Sequence, residues 1–425
     1  MRLDRSEGDQ FAIRVRARPV APRPRAGGPQ LDRVRPGRAA LSVVVVVMGV
    51  LAVLKLGSEF WRLTLSSGEN SAIDLRMFYD WVQDWFAGVP VYDGRIRSEY
   101  FPASFVILWP ALGWLSFGAA KWAWAASTIL VLFWSSRVFV KGSLAQSSLE
   151  RWFVVLMLLS MNATGVTIGN GQLVLHLIPT MVVALLLIAD GSGRLCDDLL
   201  AGFLLAIALV KPAVSAPFLV MAGLLPRGIR PVLAAGAFYV SLTLIGASFQ
   251  RGTISSLVRQ TVSNAASAAS DGGYGNLHAW LTATGLRSWM LAASVVSLAL
   301  FALWTARHRR DDVWLLMGVT AVVARLWTYH RLYDDALTIL PMVCLFRIAK
   351  RHDADQAVGR TARVLLGLTL VLMLLPARLS WAPFPWNLPF TAGHVSVWLA
   401  ALAFFAWQST SAQCAQTPEA AELTR

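Results

Sequence analysis

Charged residues are scarce in this sequence: they make up 15% of its 425 residues, whereas hydrophobic residues make up 56%. A soluble domain carries about 25% charged residues, so the composition excludes an ordinary soluble enzyme. Cysteine is scarce too, and Cys196, Cys344 and Cys414 have the spacing of neither a metal site nor a disulfide framework. The apolar surplus must be buried in lipid, which predicts an all-α polytopic membrane protein.

Acidic residues are outnumbered by basic ones, 24 to 38, and the formal net charge is +14. Such an excess would suit a nucleic-acid-binding protein, but its distribution does not. Residues 1–40 hold ten arginines and four acidic residues directly before the first apolar run, which is typical of a signal for membrane orientation. We therefore expect no nucleic acid among the partners and predict that residues 1–40 form a basic, disordered cytoplasmic arm.

Long apolar runs dominate the rest of the chain. A helix needs about 20 apolar residues to cross ~30 Å of hydrocarbon, and about twelve runs approach that length. They make residues 41–410 a transmembrane domain, followed by a short cytoplasmic tail, 411–425. The predicted spans are 41–56, 102–118, 122–139, 152–168, 173–189, 199–224, 232–249, 289–306, 313–328, 335–349, 363–379 and 394–409.

Arginine and lysine in the short connections indicate the orientation. If twelve spans alternate, the N-terminus and the basic clusters at 227–230, 307–310 and 347–363 fall on one side, which we assign to the cytoplasm. The protein is thus predicted to be a multi-pass plasma-membrane protein whose active site faces the periplasm or exterior. Three basic residues fall on the external side as exceptions: Lys141, Arg151 and Arg194.

The external loop between the first two predicted spans, residues 57–101, contains an amphipathic segment. At 100° per residue, its apolar residues share one stripe, which is typical of a helix lying in the membrane interface. Asp74 stands at its beginning, and two interpretations remain open. Either the carboxylate is an N-cap that satisfies free backbone N–H groups, or it is a general base that takes a proton from a hydroxyl nucleophile. The stripe consists of Leu75, Phe78, Val82, Trp85 and Phe86.

A second polar cluster, WTYHRLYDD at 327–335, lies at the external ends of two predicted spans. One interpretation is a plain polar turn between helices. The other is a functional site, in which Arg331 contacts a phosphate as a planar, permanent cation and His330 orients or protonates a leaving group. Asp334 and Asp335 would complete such a site.

Lys211 falls near the middle of the predicted span 199–224, where a charge is costly and by default indicates function. We interpret it as an electrostatic contact for a phosphate, with a snorkelling lysine as the alternative. Asn170 and Gln172 flank Gly171 between two spans, a pattern that by itself indicates only a turn. Simple alternation puts them at the cytoplasmic end, so a nearby span must be broken if they contact the substrate.

Several segments, taken in their order along the chain, resemble glycosyltransferase family 87. The first is a single span followed by an external loop. The matching segments are Asp-Leu-Arg-Met-Phe-Tyr (74–79), Gly-Val-Pro-Val-Tyr-Asp (88–93), Phe101-Pro102, Gly-Asn-Gly-Gln (169–172), the Lys-Pro span 206–217 and Tyr333-Asp334 with the apolar run to Pro341. The resemblance implies a GT-C-type bundle of about twelve transmembrane helices, with short interfacial helices in the first external loop.

The resemblance also implies a polyprenol-phosphate-sugar-dependent transferase similar to α-1,2-mannosyltransferases. Asp74 then matches the catalytic base, and His330 or Asp334 a second active-site position. The candidates for binding the substrate or the donor phosphate are Lys211, Arg331, Tyr79, Tyr92, Asn170 and Gln172.

The expected activity is inverting transfer of a hexose or pentose from a polyprenyl-phosphate sugar to a lipid-linked or glycan acceptor, with mannose as the leading candidate sugar. The partners are donor, acceptor and membrane lipids; no cofactor or metal site is assigned, and dependence on a divalent metal stays open. A lipid or solute transporter is the alternative, and a non-catalytic assembly partner is the third. Transporters often contain repeated halves, and the polar residues here gather on one face instead, which favours the transferase.

Overall fold

The computed structural model describes residues 36–93, 97–270, 275–352, 356–376, 379, 382–383, 385–387 and 392–414. Within these ranges every regular element is helical, which confirms the all-α prediction. Residues 1–35 of the predicted arm and 415–425 of the predicted tail lie outside the described residues, so those two assignments stay predictions.

The described chain folds into seventeen α-helices and two 3-10 helices. The 3-10 helices are Arg287–Trp289 and Leu332–Thr338. The α-helices are α1 (Pro36–Thr64), α2 (Ile73–Phe86), α3 (Pro102–Leu112), α4 (Phe117–Gly142), α5 (Ser148–Ser160), α6 (Asn162–Asn170), α7 (Val174–Asp190), α8 (Leu195–Ala208), α9 (Pro212–Leu224), α10 (Ile229–Ala247), α11 (Ile254–Ser270), α12 (Leu277–Ala283), α13 (Met290–His308), α14 (Val313–Leu326), α15 (Ile339–Arg351), α16 (Ala357–Leu374) and α17 (His394–Cys414).

Five of the described helices are long and apolar enough to cross a membrane by themselves, and α5 with α6 gives a sixth if this pair, bent by 49°, counts as one broken span. The other apolar helices, such as α7, α9 and α14, have 10–17 residues. A polytopic membrane protein is thus confirmed, but several predicted spans consist of short helices. The five long segments are Gly37–Thr64, Phe117–Gly142, Ile229–Ala247, Arg287–His308 and Ala357–Leu374.

Ion pairs at the two ends of α14 and α15 show that these neighbouring helices run in opposite directions. Asp312, which precedes α14, pairs with Arg351, the last residue of α15. At the other end, Arg325 of α14 pairs with Asp335, which precedes α15. We name the end that holds Arg325 and Asp335 the site end, and the end that holds Asp312 and Arg351 the arginine end.

Helix α1 and the bent pair α5–α6 run side by side from the arginine end to the site end. Glu150, in the first turn of α5, pairs with Lys350 at the arginine end (2.7 Å). Further along, Lys55 Nζ of α1 donates to Asn162 Oδ1 at the start of α6 (3.1 Å). The chain therefore reaches the site end with the last residues of α6.

The predicted span 102–118 is wrong. Helix α3 has 11 residues and is about 16 Å long. Gln83 Nε2 of α2 donates to the carbonyl of Leu112 (2.9 Å), and the hydroxyl of Tyr79 donates to the carbonyl of Leu115 (3.0 Å). The chain leaving α3 is therefore still beside α2 at the site end. After α1, the next helix that runs between the two ends is α4. Its last residues contact α15 at the arginine end.

The predicted span that contains Lys211 is instead a hairpin of α8 and α9. Arg227, just after α9, donates to the carbonyl of Gly191, just before α8, so both outer ends lie together. Lys211 stands at the tip and pairs with Asp334 at the site end. Helix α8 cannot continue through this point because Pro212 has no backbone N–H to donate.

One predicted span is lost at α3 and one is gained at α8–α9, so the predicted number of passes does not change. The segments between these two points run in the direction opposite to the prediction. Within the described residues, twelve passes connect the two ends: α1, α4, the pair α5–α6, α7 to α10 and α13 to α17. Because the chain does not cross at α3 and crosses twice at α8–α9, the predicted exceptions Lys141, Arg151 and Arg194 come to the arginine end. Asn170 comes to the site end, and α5–α6 is the broken span that this position requires.

Candidate active site

The junction of α2 and α6 fixes the position of Asp74. The backbone N–H of Ala72 donates to the carbonyl of Gly169 (3.1 Å). Gly171 follows α6 with a φ of 73°, in the left-handed region that favours glycine. A Cβ at Gly171 would lie 2.4 Å from Cβ of Leu75. Glycine at this position therefore allows the turn after α6 to touch the first turn of α2.

Two amide side chains hold the carboxylate of Asp74. Its Oδ2 accepts a hydrogen bond from Asn170 Nδ2 (3.0 Å), and the Gln172 side chain also bonds to it. The N-cap position of α2 is occupied by Ala72 and not by Asp74, so the N-cap interpretation is wrong. Asp74 lies instead within the first helical turn, where the helix dipole stabilises a negative charge.

Lys211 reaches from the hairpin tip to the 3-10 helix Leu332–Thr338. Its Nζ lies 2.5 Å from Asp334 Oδ1 and 4.5 Å from the centroid of the Tyr333 ring. The other carboxylate oxygen of Asp334 accepts the backbone N–H of Arg331 (3.1 Å). Because the Lys211 and Asp334 side chains are only 12% and 3% exposed, the two charges balance each other in a fixed position.

A second carboxylate, Glu99, belongs to the same cluster. It interacts electrostatically with Asp74, Lys211 and Arg331. Burial raises the pKa of Glu99 above its ordinary value, and the two cations offset this only in part. Burial also raises the pKa of Asp74, against the effect of its hydrogen bond from Asn170. Both acids therefore hold a proton to higher pH than an exposed carboxyl group does.

A buried cluster of charged and polar side chains around Asp335 lies next to the site. Arg325 is fully buried; its Nε donates to Asp335 Oδ1 (2.8 Å) and its Nη1 to the carbonyl of Gly275 (2.7 Å). His330 Nε2 lies 2.9 Å from the same Oδ1. Burial alone would raise the pKa of Asp335, but Arg325 and His330 hold it well below its ordinary value. His330 thus lies inside the bundle, next to the predicted site and bonded to Asp335.

Of the remaining predicted candidates, Arg331 interacts with Glu99, whereas the described contacts of Tyr79 and Tyr92 lie outside the cluster. Tyr79 bonds to the connection between α3 and α4. Tyr92 is buried, and its hydroxyl donates to the carbonyl of Tyr100 (2.8 Å). Arg331 is exposed, with its guanidinium stacked over the ring of Tyr329 at 5.1 Å. Tyr79 thus joins the first loop to the segment before α4 and Tyr92 bonds within that loop, whereas Arg331 remains accessible to a ligand.

Arg325 and Glu99 were not among the predicted site residues. Arg325 is the sole charged residue in the predicted span 313–328, and an intramembrane charge indicates a partner or a function, so the sequence did contain a signal for it. Glu99 has no such signal, because it joins the cluster only through the folding of residues 97–101.

The side chains of this cluster suit proton transfer and the binding of a negative charge. Asp74 and Glu99 are partly buried acids with a raised pKa, and Lys211 and Arg331 are cations beside them. Within the described ranges, no group of three or more His, Cys, Asp or Glu side chains is placed to hold a metal ion.

A polytopic helical bundle with such a cluster at one end suits a membrane-embedded enzyme. The family model of glycosyltransferase family 87 matches residues 100–346, which is more than half of the chain. The chain therefore belongs to glycosyltransferase family 87 and is a membrane glycosyltransferase, in agreement with a GT-C placement. The matched range includes Asn170, Lys211 and Asp334 and begins after Asp74. No curated protein sequence matches the chain.

Proposed function

We propose that the protein transfers a hexose or pentose, most readily mannose, from a polyprenyl-phosphate sugar to a lipid-linked or glycan acceptor. The general base is Asp74. One observation carries the proposal: a partly buried carboxylate with a raised pKa, held by Asn170 and Gln172, shares a cluster with Lys211 and Arg331. A glycosyltransferase that uses a phosphate donor needs this combination of a base and cations.

The reaction is a single displacement. The acceptor oxygen attacks the anomeric carbon while its proton passes to the Asp74 carboxylate. The bond between the anomeric carbon and the phosphate oxygen breaks through an oxocarbenium-like transition state, and inversion results. The polyprenyl phosphate leaves with the bonding electron pair. Its negative charge needs stabilisation rather than protonation, which exposed Arg331 supplies, while Lys211 lies nearby and neutralises the carboxylate of Asp334.

The distribution of basic residues supports an active site on the external face. The connections that carry Lys141, Arg194, Arg227 and Arg309 all lie at the arginine end, opposite Asp74. Positive charge in short loops marks the cytoplasmic side of a membrane protein. The proposed donor is therefore drawn from the outer leaflet of the plasma membrane.

The decisive experiment incubates the purified protein with a polyprenyl-phosphate sugar and candidate acceptors. Replacing Asp74 by asparagine keeps its size and removes the base, so transfer should fall at least about 100-fold. Asp80→Asn is the matched control, because Asp80 is on the exposed side of the same helix, and its activity should stay near that of the unmodified protein. Equal turnover of D74N and the unmodified protein would refute the assignment.

The transporter alternative predicts a different outcome in the same reconstituted system. A transporter would move the donor lipid between leaflets without forming a glycosidic bond, and D74N would alter that movement. Mass spectrometry of the extracted lipids separates the two, because only a transferase yields a glycosylated acceptor together with free polyprenyl phosphate.

A further inference from the structure

A large basic cavity lies at the arginine end, away from the proposed active site. Its volume is about 930 Å³, and Asp312 at the start of α14 and Arg351 at the end of α15 are part of its wall. Asp74 and Arg331 belong to the opposite end. The 14 residues of α14 separate the two sites by about 20 Å, so the cavity is a distinct feature.

The wall of the cavity carries an excess of positive charge. Five guanidinium groups face two carboxylates, which leaves three positive charges. Asp311 pairs with His308 (3.1 Å), and Asp312 pairs with two of the arginines. The exposed Arg309 and Arg310 have no carboxylate within pairing distance among the described residues. The five arginines are Arg307, Arg309, Arg310, Arg347 and Arg351.

One side of the cavity is held rigidly by Arg347. Its Nη2 donates to Asp312 Oδ2 (2.7 Å), its Nη1 donates to the carbonyl of Gly142, and its guanidinium lies 5.5 Å from the Trp314 ring. Burial opposes ionisation of Asp312, yet Arg347 and Arg351 lower its pKa below the ordinary value. The charges on this wall are therefore fixed in place before any ligand arrives.

Apolar side chains also line the cavity. Val358 of α16 and Trp407 of α17 are among them, beside the polar Gln408 and Ser409. Leu303 of α13 and Val364 of α16, one to two turns further along their helices, are 71% and 60% exposed. Both helices are candidate membrane spans. The cavity thus combines basic side chains suited to a phosphate with apolar residues from helices that carry exposed apolar side chains.

We infer that this cavity binds the phosphate group of an anionic membrane lipid from the leaflet opposite the transfer site. Basic pockets between membrane helices suit anionic headgroups, and a planar guanidinium donates two parallel hydrogen bonds to a phosphate. The volume exceeds that of one inorganic phosphate and lies in the range of pockets for larger ligands. The inference is independent of the proposed function, because its residues are not those around Asp74.

The test measures binding of short-chain phosphatidylglycerol to the detergent-purified full chain, with short-chain phosphatidylcholine and glycerol 3-phosphate as comparisons. The double variant Arg309→Gln/Arg310→Gln removes the two lining arginines that have no carboxylate within pairing distance in the described part of the chain. Arg38→Gln/Arg360→Gln is the matched control, because it removes two exposed charges from helix starts at the same end but outside the cavity.

We expect the first double variant to bind phosphatidylglycerol about thirtyfold more weakly, since each basic residue near an anionic headgroup contributes roughly 1 kcal/mol. The control should stay within about twofold of the unmodified protein. Thermal unfolding confirms that the variants are folded. The single variants, each expected to weaken binding about fivefold, replace the double variant if it does not fold.

Three results would overturn the inference. An equal loss in both double variants would mean general attraction to a basic surface. Equal affinity for phosphatidylcholine would exclude recognition of the anionic phosphate. Glycerol 3-phosphate binding as tightly as phosphatidylglycerol, with the same dependence on Arg309 and Arg310, would assign the cavity to a soluble phosphate ester.

Discussion

The carboxylate of Asp74 and the amide of Asn170 form a hydrogen bond of 3.0 Å between residues 96 positions apart in the chain. This bond joins the first external loop to the end of α6. It also lowers the pKa of Asp74 against the larger effect of burial. The affinity of the proposed base for a proton is therefore set by a residue on another helix.

The acidic limb of the pH–activity profile should report this pair. A base must be ionised, so activity falls as pH decreases through the pKa of Asp74, which burial raises above its ordinary value. Asn170→Ala removes a bond that favours the ionised form, so the limb should move to higher pH. Asn162→Ala, at the other end of α6, should leave the limb in place. The measurement is kcat/KM as a function of pH, and a limb that does not move in N170A would contradict the assigned interaction.

Asp74→Asn should abolish activity without lowering the stability of the protein. A carboxyl group with a raised pKa in the folded state contributes stability at low pH, and this is lost as pH rises through the folded pKa. At neutral pH the asparagine variant avoids that loss, so its thermal midpoint in detergent should equal or exceed that of the unmodified protein. A large drop in the midpoint would show that the ionised carboxylate is needed for folding.

Replacing Gly171 by alanine should disrupt the site through its backbone. A left-handed conformation costs a residue with a Cβ roughly 1–2 kcal/mol, and the added Cβ also meets Leu75 at 2.4 Å. Gly285→Ala is the control, because Gly285 has a φ of 77° with nothing within 4 Å of an added Cβ. Both variants should lose stability, but transfer activity should collapse only in G171A. Equal activities would show that contact between α2 and α6 does not position Asp74.

Lys211→Met should lower the free energy of unfolding strongly, because it leaves Asp334, whose side chain is 3% exposed, without its cation. Breaking such a buried pair destabilises a protein by about 3 kcal/mol or more. Lys350→Met breaks the pair with Glu150, whose side chains are 28% and 18% exposed, and should cost at most about 1 kcal/mol. Chemical denaturation of both variants in detergent gives the comparison, and similar losses would mean that water screens the Lys211–Asp334 pair.

Arg325→Met should be among the most destabilising substitutions in the chain. The residue is fully buried, and the variant would leave Asp335, 1% exposed, with an unbalanced charge. Substituting both residues, as in Arg325→Met/Asp335→Leu, should recover part of the loss, because an apolar pair of similar volume avoids burying a charge. Thermal midpoints of the single and double variants provide the measurement, and additive losses would contradict this account.

The candidate site was largely predictable because its residues break the rules of a membrane sequence. Lys211 is a charge in an apolar run, and Asp74 opens an amphipathic helix, so each was expected to have a partner or a function. Their meeting was not predictable from spacing, since it depends on a hairpin at Lys211. The Lys-Pro pair did contain that information, because proline is favoured in the first turn of a helix and unfavourable inside one.

The course of the chain was less predictable than its helical content. Apolar length predicts that a segment avoids water but does not distinguish a segment that crosses from one that turns back. Residues 102–118 satisfy the length requirement, yet α3 ends at Leu112, and side chains of α2 bond to the carbonyls of Leu112 and Leu115. These bonds keep the chain at the site end, and they are not visible in hydropathy.

The α8–α9 hairpin constrains how the protein is made. Each arm has 13 or 14 residues, about 20 Å, which is too short to insert stably on its own into ~30 Å of hydrocarbon. The tip adds a lysine whose counter-ion, Asp334, is synthesised 123 residues later. Until the ribosome has synthesised α14 and the segment after it, Lys211 must stay hydrated or contact the translocation machinery. The active site is therefore completed late in biogenesis.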